Sequence, residues 1–296
     1  MTALWVPFAF PVKASGGGAV KIRHMLSIYS DEKDAALKHP EAVAFNDKSL
    51  LIAADTENGR LLRYLFQNGA IEIVPQQIKL PQLTYPIRIE VNAQGEIFAL
   101  DGKTRRIVRI TSEGAFIGYL EPSGLPSPAS FIPRSLAIDE NDNIYILDIH
   151  FGRVIVSSSS GVYKRHINFP EGYGFMSDLA IDTKGNILLI DSVNARLYKS
   201  AKDSESFSPL SETLKEFMRF PVSLAIDKKD RIYLVDRNGG SIIIIGQDGS
   251  FLGRQSKMGW KEGFLNYPSQ LCINSKNEIF IADTNNNRIQ IFAILE

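Results

Sequence analysis

The chain has 296 residues, of which 44% are hydrophobic, enough to bury a large core. Its 33 basic and 33 acidic side chains cancel, so the overall charge favours neither nucleic acid nor an acidic membrane surface. The single cysteine, Cys272, excludes a disulfide framework and is expected to be a buried thiol, and no apolar run is long enough to span a bilayer.

The N-terminal residues 1–19 are expected to form an extension ahead of the folded body. Residues 3–12 are apolar, but Pro7 and Pro11 interrupt them and no Lys or Arg precedes them, so the segment makes a poor signal peptide as it stands. Residues 20–29 alternate apolar and polar side chains, a pattern typical of a strand.

From residue 40 onward one pattern occurs six times. A Pro, replaced by Met176 in the fourth unit, is followed six residues later by Asn or Asp and nine residues after that by Asp. The first polar positions are Asn46, Asn92, Asp139, Asp182, Asp227 and Asn274, and the closing positions are Asp55, Asp101, Asp148, Asp191, Asp236 and Asp283. A repeat of about 45 residues is typical of a propeller or a solenoid.

The content of one unit favours a propeller. In the third unit, residues 135–138 and 143–147 are apolar runs around a polar turn, and further strands are expected at 153–156 and 162–169. We therefore predict an all-β, six-bladed β-propeller with four antiparallel strands per blade. The domain covers residues 20–296, with blades near 40–85, 86–132, 133–175, 176–220, 221–267 and 268–296.

The last unit ends after its third strand, residues 289–295. Its fourth strand must come from elsewhere, and residues 20–30 are the natural donor. This pairing would join the first and last blades and close the ring.

The final unit also carries a family resemblance. Residues 281–292 read I-A-D-T-N-N-N-R-I-Q-I-F, preceded by Tyr267-Pro268, with Arg288 five positions after the closing Asp283. The first four units also have Arg at this position: Arg60, Arg106, Arg153 and Arg196. The fifth unit has Ser241 there instead. From residue 40 to its end, the chain resembles the NHL-repeat propellers of the stand-alone bacterial type.

The resemblance has implications for location. The Leu4-Trp5-Val6-Pro7 stretch, followed by a strand with Lys and Arg, resembles the mature start of exported bacterial NHL proteins. We expect an extracytoplasmic protein, in the periplasm or at the cell surface, with the cytoplasm as the alternative. We also expect a monomeric propeller or a subunit of a larger assembly.

The six closing Asp residues are interpreted as structural, because every blade has the same turn to stabilise. Function is expected where the units differ, on the loops that converge around the channel. This predicted binding face comprises Arg88, Lys103, Arg134, Ser135, His150, Phe151, Asp178, Arg237 and Gln270. It is either a solvated rim or a site for a ligand or a protein partner.

Three other functions would each require a specific set of residues. Resemblance to zinc lyases implies three His ligands at the channel, but only His39 and His150 lie near this face, and a carboxylate such as Asp178 would have to join them. Calcium-dependent lactonase-like propellers imply Glu, Asn and Asp ligands, and no unrepeated trio is evident. Single-stranded RNA binding would need a basic patch, which Arg88, Lys103, Arg105 and Arg134 could form, although the balanced charge makes nucleic acid an unfavoured partner.

The sequence thus predicts a non-catalytic scaffold that binds a protein partner or ligand through its irregular channel face. The cofactor expectation is none, with zinc or calcium as the alternative. A metal-dependent lyase or hydrolase is the alternative function.

Overall fold

The computed structural model describes residues 20–31, 33–46, 48–71 and 76–295, and shows six antiparallel sheets arranged in a ring. This confirms the prediction of an all-β, six-bladed propeller. The predicted extension, residues 1–19, lies outside the described residues. Within the described part of the chain no helix is long and apolar enough to cross a membrane.

The strands of each blade follow one another from the channel outward, with one exception in blade 1. Blade 1 contains β2 (Ala42–Phe45), β3 (Leu50–Asp55), β4 (Arg60–Gln67), β5 (Ala70–Ile71) and β6 (Gln76–Ile78), and both β5 and β6 pair with β4. Blade 2 contains β7 (Pro86–Val91), β8 (Ile97–Asp101), β9 (Ile107–Ile110) and β10 (Phe116–Tyr119). Blade 3 contains β11 (Pro133–Ile138), β12 (Ile144–Asp148), β13 (Arg153–Ser157) and β14 (Tyr163–Asn168).

The remaining blades follow the same order. Blade 4 contains β15 (Met176–Ile181), β16 (Ile187–Asp191), β17 (Arg196–Ser200) and the short β18 (Ser208–Pro209). Blade 5 contains β19 (Pro221–Ile226), β20 (Ile232–Asp236), β21 (Ser241–Ile245) and β22 (Phe251–Gln255). Blade 6 contains β23 (Leu271–Ile273), β24 (Glu278–Asp283) and β25 (Arg288–Leu295), with β1 (Lys21–Ile28) on its outer edge.

The core lies between neighbouring blades, because successive side chains of a strand point to opposite faces of its sheet. On β12, Ile144 and Ile146 pack into a cluster with blade 2, whereas Tyr145 and Leu147 pack into a cluster with blade 4. Both faces of the middle strands are therefore buried, which explains their nearly continuous apolar sequences.

The ring is closed by the N-terminal strand, as predicted. β1 runs antiparallel to β25, with Lys21 opposite Leu295 and Ile28 opposite Ile289. Ile28 also joins an apolar cluster that contains Leu51 of blade 1. One strand thus connects the beginning and the end of the chain by hydrogen bonds and by burial.

The closing Asp of every blade is fully buried. Its carboxylate accepts hydrogen bonds from backbone N–H groups of the loop that enters the first strand of the same blade. Thr84 and Tyr85, for example, donate to Asp101 at 2.7 and 2.9 Å. Burial alone would raise the pKa of Asp101, but these and neighbouring N–H groups hold it below its usual value. The repeated Asp residues therefore fasten a loop, as a structural role requires.

The Arg five positions later neutralises this buried carboxylate in three blades. Arg60 Nε lies 2.6 Å from Asp55, Arg153 Nε 2.9 Å from Asp148 and Arg288 Nε 2.7 Å from Asp283.

Blade 5 has Ser241 at this position, and the cation beside its closing Asp236 comes from another strand. Arg254 of β22 donates to the Ser241 hydroxyl at 3.1 Å and lies 3.7 Å from Asp236. The positive charge is thus restored from the outermost strand of the blade.

Candidate functional site

The two ends of the channel are built from different parts of the repeat. The loop face is formed by the loops before each first strand and after each second strand, and it carries the predicted binding face. The turn face is the opposite end, formed by the Asn/Asp turns between first and second strands. The six innermost strands, β2, β7, β11, β15, β19 and β23, contact one another in sequence and connect the two faces.

Side chains two positions after the Pro of each unit meet across the channel. Arg88 of blade 2 donates to the Val222 carbonyl of blade 5 at 2.8 Å, and its guanidinium lies 3.4 Å from the Asp178 carboxylate of blade 4. Ser135 Oγ donates to Asp178 at 2.5 Å, and the Leu224 N–H donates at 3.1 Å. Four blades are therefore connected by one ion pair and its hydrogen bonds.

Gln270 extends this network from blade 6 to blade 2. Its Nε2 donates to the Ile89 carbonyl at 3.1 Å, and its Oε1 accepts from the Ile89 N–H at 3.4 Å. The side chain passes blade 1, where the equivalent residue is Ala42. The small Ala42 side chain leaves space for this bridge.

We call Arg88, Ser135, Asp178 and Gln270 the central network. The structure brings these four predicted site residues together, but each is at most 4% exposed. Their polar groups are used within the ring. A partner on the loop face would meet the other five predicted residues. Lys103, His150 and Phe151 are exposed, and Arg134 and Arg237 are half-buried.

Arg134 has the most unusual environment at this face. Its guanidinium lies over the Phe175 ring, 5.7 Å from the centroid, and its buried Nε has no hydrogen-bond partner among the described residues. Burial, and then the neighbouring charge of Arg88, lower the pKa of Arg134 to about 10, although Asp178 opposes this. Since Asp178 is already paired with Arg88, Arg134 has no counterion of its own among the residues that the structure describes.

Tyr85 lies at the same mouth. Burial raises the pKa of its hydroxyl, and the carboxylates of Glu41 and Glu57 add to this effect while Arg237 opposes it. Lys103 lies over the Tyr85 ring, 5.4 Å from its centroid. The mouth is therefore polar, with aromatic surface and charges of both signs.

The two histidines suggested as zinc ligands have separate neighbours. His39 Nε2 lies 3.0 Å from Asn285 Oδ1, and its Nδ1 lies 3.7 Å from Glu41. His150 packs edge-on against Phe151, with ring centroids 4.3 Å apart. No group of three His, Cys, Asp or Glu side chains suited to a metal ion occurs in the described ranges of the chain.

The comparisons with known proteins agree with this architecture. Residues 265–292, which contain β23, β24 and most of β25, match the profile of the NHL repeat. The chain contains an NHL repeat. A search of curated proteins with the sequence found no match.

Solved structures share the fold of this NHL-containing chain at low sequence identity. A protein of unknown function from Bacteroides thetaiotaomicron has a TM-score of 0.69 at 13% identity, covering 94% of this chain and 76% of that one. A gluconolactonase from Xanthomonas campestris has a TM-score of 0.68 at 13% identity, covering 98% and 99%. Virginiamycin B lyase from Staphylococcus aureus has a TM-score of 0.63 at 11% identity, covering 93% and 100%. At these identities the likeness extends to the propeller fold alone.

Two features of the ring were not predicted from the sequence. A cavity of about 580 Å³ opens on the turn face between blades 3, 4, 5 and 6. Inside the channel, Glu90 is the only acidic residue four positions after the Pro, where the other units have small side chains: Ala44, Ala137, Ala180, Ala225 and Cys272. The departure of Glu90 from the small residues at this repeat position is the sequence signal that points to it.

Proposed function

We propose that this propeller is a binding scaffold that holds a protein partner on its loop face, with Arg134 pairing with a carboxylate of that partner. The observation that carries the proposal is the guanidinium of Arg134, half-buried and without a hydrogen bond or ion pair to another described residue. A desolvated charge is costly until it is paired, and an arginine pairs with a carboxylate through two parallel hydrogen bonds.

The surroundings of Arg134 support a protein ligand. Phe151 is 39% exposed, and Tyr173, which packs edge-on against Phe169, is also 39% exposed. Both rings lie on loops of the same face as Arg134, and exposed aromatic residues and arginine are the residue types that contribute most to protein interfaces. The rim between them is polar, as in non-obligate complexes.

The test is a capture experiment with charge-reversal variants on opposite faces. Wild-type protein, Arg134→Glu and Lys228→Glu are immobilised at equal density and exposed to native extract. Lys228 is exposed on the turn face and serves as the matched control. We expect a partner that binds wild type and Lys228→Glu but is lost with Arg134→Glu. Equal capture by all three would refute the assignment of the site to Arg134.

An extracytoplasmic location belongs to the same proposal. It is tested by fractionating the cells that produce the protein. Recovery of the chain outside the cytoplasm would support this part, and recovery in the cytoplasm alone would contradict it without affecting the binding site.

A metal-dependent lyase or hydrolase is the second candidate. It is favoured by the fold shared with the virginiamycin B lyase and the gluconolactonase and by the position of His39 beside Glu41 at the loop face. The test is the zinc and calcium content of protein purified without chelator. About one ion per chain, lost in the His39→Ala/His150→Ala variant, would support this candidate over the scaffold.

A further inference from the structure

The outermost strands of the blades differ in how their free edges are protected. An unpaired edge strand can pair with another chain, and proteins prevent this with charged residues or proline on the edge. The structure describes four outermost strands of at least four residues: β1, β10, β14 and β22. Three of them contain Arg, whereas β10 reads F-I-G-Y, with no charged residue and no proline. The edge of β10 is therefore the least protected of the four.

The side chains of β10 are also unusually exposed for apolar residues. Phe116 is 37% exposed and Ile117 is 46% exposed, and no other outermost strand in the described part of the chain has an exposed large hydrophobic side chain. A β-carbon added to the neighbouring Gly118 would meet no atom within 4 Å. The space beside this strand is therefore open, and its apolar surface faces water.

The backbone of β10 has hydrogen-bonding groups that its own blade does not use. The residues next to its two ends are bonded towards β9: the Ala115 carbonyl accepts a hydrogen bond at 2.8 Å, and the Leu120 N–H donates one at 2.9 Å. Backbone groups of successive residues in a strand point to opposite sides, so those of Phe116 and Tyr119 point away from β9. No described strand pairs with this outer side of β10.

A β-bulge makes the edge complementary to itself. The register with β9 shifts between Phe116 and Gly118, so Ile117 is an extra residue. The rings of Phe116 and Tyr119 would lie on opposite faces of a regular strand, but here they pack edge-on with centroids 5.4 Å apart. When two copies of β10 run antiparallel with Phe116 opposite Tyr119, the outward backbone groups of both copies meet. Ile117 of each copy then lies opposite Gly118 of the other copy.

We propose that two copies of this chain form a symmetric dimer by pairing their β10 strands antiparallel, which joins the four-stranded sheets of the two second blades edge to edge. The pairing forms about four backbone hydrogen bonds through Phe116 and Tyr119, and it covers the exposed Ile117 side chain. Only another strand can satisfy such a row of backbone groups, and no like charges on β10 oppose a second copy. This contact is separate from the loop face and does not depend on the proposed partner.

The dimer should be weak and concentration-dependent. The paired strands contribute four residues from each chain, far fewer than the roughly 20–30 residues per side of a standard stable interface. We expect a dissociation constant on the order of 10–100 µM. The population of the dimer can therefore be varied by dilution within the range of ordinary solution measurements.

The experiment is analytical ultracentrifugation of the whole chain from about 2 to about 200 µM. The average mass should rise from that of one chain towards that of two. Ile117→Lys places two like charges close to each other across the two-fold axis, and it should remain monomeric at every concentration. Val193→Lys, on a loop of blade 4 where Val193 is 52% exposed, is the matched control and should dimerise as wild type does. Circular dichroism checks that each variant is folded.

Two further measurements test the register. Gly118→Glu should also weaken the dimer, whereas the double variant Ile117→Lys/Gly118→Glu places opposite charges against each other and should dimerise at least tenfold more tightly than either single variant. Hydrogen exchange read by mass spectrometry should show about two more protected amides in residues 112–121 at the high concentration than at the low one, those of Phe116 and Tyr119.

Three results would overturn the proposal. A wild type that stays monomeric at about 200 µM would leave the β10 edge for a strand of another protein. A dimer that Ile117→Lys does not weaken would be formed by another surface. A double variant no tighter than Ile117→Lys, with unchanged amide exchange in residues 112–121, would exclude this strand pairing.

Discussion

Replacing Asp178 by alanine should destabilise the protein more than any substitution on its exposed rim. The carboxylate is 4% exposed and accepts hydrogen bonds from Ser135 and from the Leu224 N–H, and it is the counterion of Arg88. Removing one member of a buried ion pair costs about 3–5 kcal/mol, because the other charge stays buried. Arg88 keeps its bond to the Val222 carbonyl, so we expect a loss of about 3 kcal/mol in the free energy of unfolding.

The assay is equilibrium unfolding in urea, monitored by circular dichroism. Glu140→Ala, an exposed acidic residue, is the control and should change stability by less than about 0.5 kcal/mol. The double variant Arg88→Met/Asp178→Leu should lose much less than the sum of the two single changes, since it removes both charges together. A cost below about 1 kcal/mol for Asp178→Ala would refute the view that the central network is a buried, mutually satisfied structure.

Three other predictions concern the ring. Deleting residues 1–28 removes the outer strand of blade 6 and exposes the edge of β25, so the protein should lose its cooperative thermal transition and aggregate in size-exclusion chromatography; a monomer with an unchanged transition would contradict closure by this strand. Arg153→Ala should lower the free energy of unfolding in urea by about 3 kcal/mol, because it leaves the buried Asp148 without its cationic partner. Arg106→Ala, at the same repeat position but exposed, should lower it by less than about 1 kcal/mol. Equal losses would refute the argument from burial. The pKa of Glu90 rises from 4.5 to about 8 on folding, so between these pH values the folded protein binds more protons than the unfolded protein, and the contribution of Glu90 to stability falls as pH rises. The melting temperature of Glu90→Gln should be roughly 2–5 °C above that of wild type at pH 9 and equal to it at pH 5. Melting temperatures that differ by the same amount at every pH would count against this.

The sequence predicts the ring well because the fixed spacings within each repeat follow from the turns and loops of a single blade. Each Asn or Asp six residues after the Pro is at a turn between two strands, and each closing Asp fastens a loop within its own blade. These contacts lie within about 17 residues of each other, so their spacing survives in the sequence. The closing strand could be predicted because the last unit lacks one.

The channel could not be predicted in the same way, because its contacts join residues far apart in the chain. Arg88 and Gln270 differ from their counterparts in the other units, and that difference suggested an accessible site. Whether such side chains contact a partner or one another depends on their length and direction across the channel. The spacing of residues along the sequence contains no information about this. Arg254, which replaces the missing arginine of blade 5, acts from another strand for the same reason.

The most direct test of the central claim, that the loop face binds the partner, is site-specific photo-crosslinking in living cells. A photoreactive phenylalanine analogue is placed at Phe151 on the loop face or at Lys184 on the turn face, both of which are exposed. We predict a partner adduct from position 151 and none from position 184. Adducts from position 184 alone, or equally from both positions, would contradict the assignment of function to the loop face.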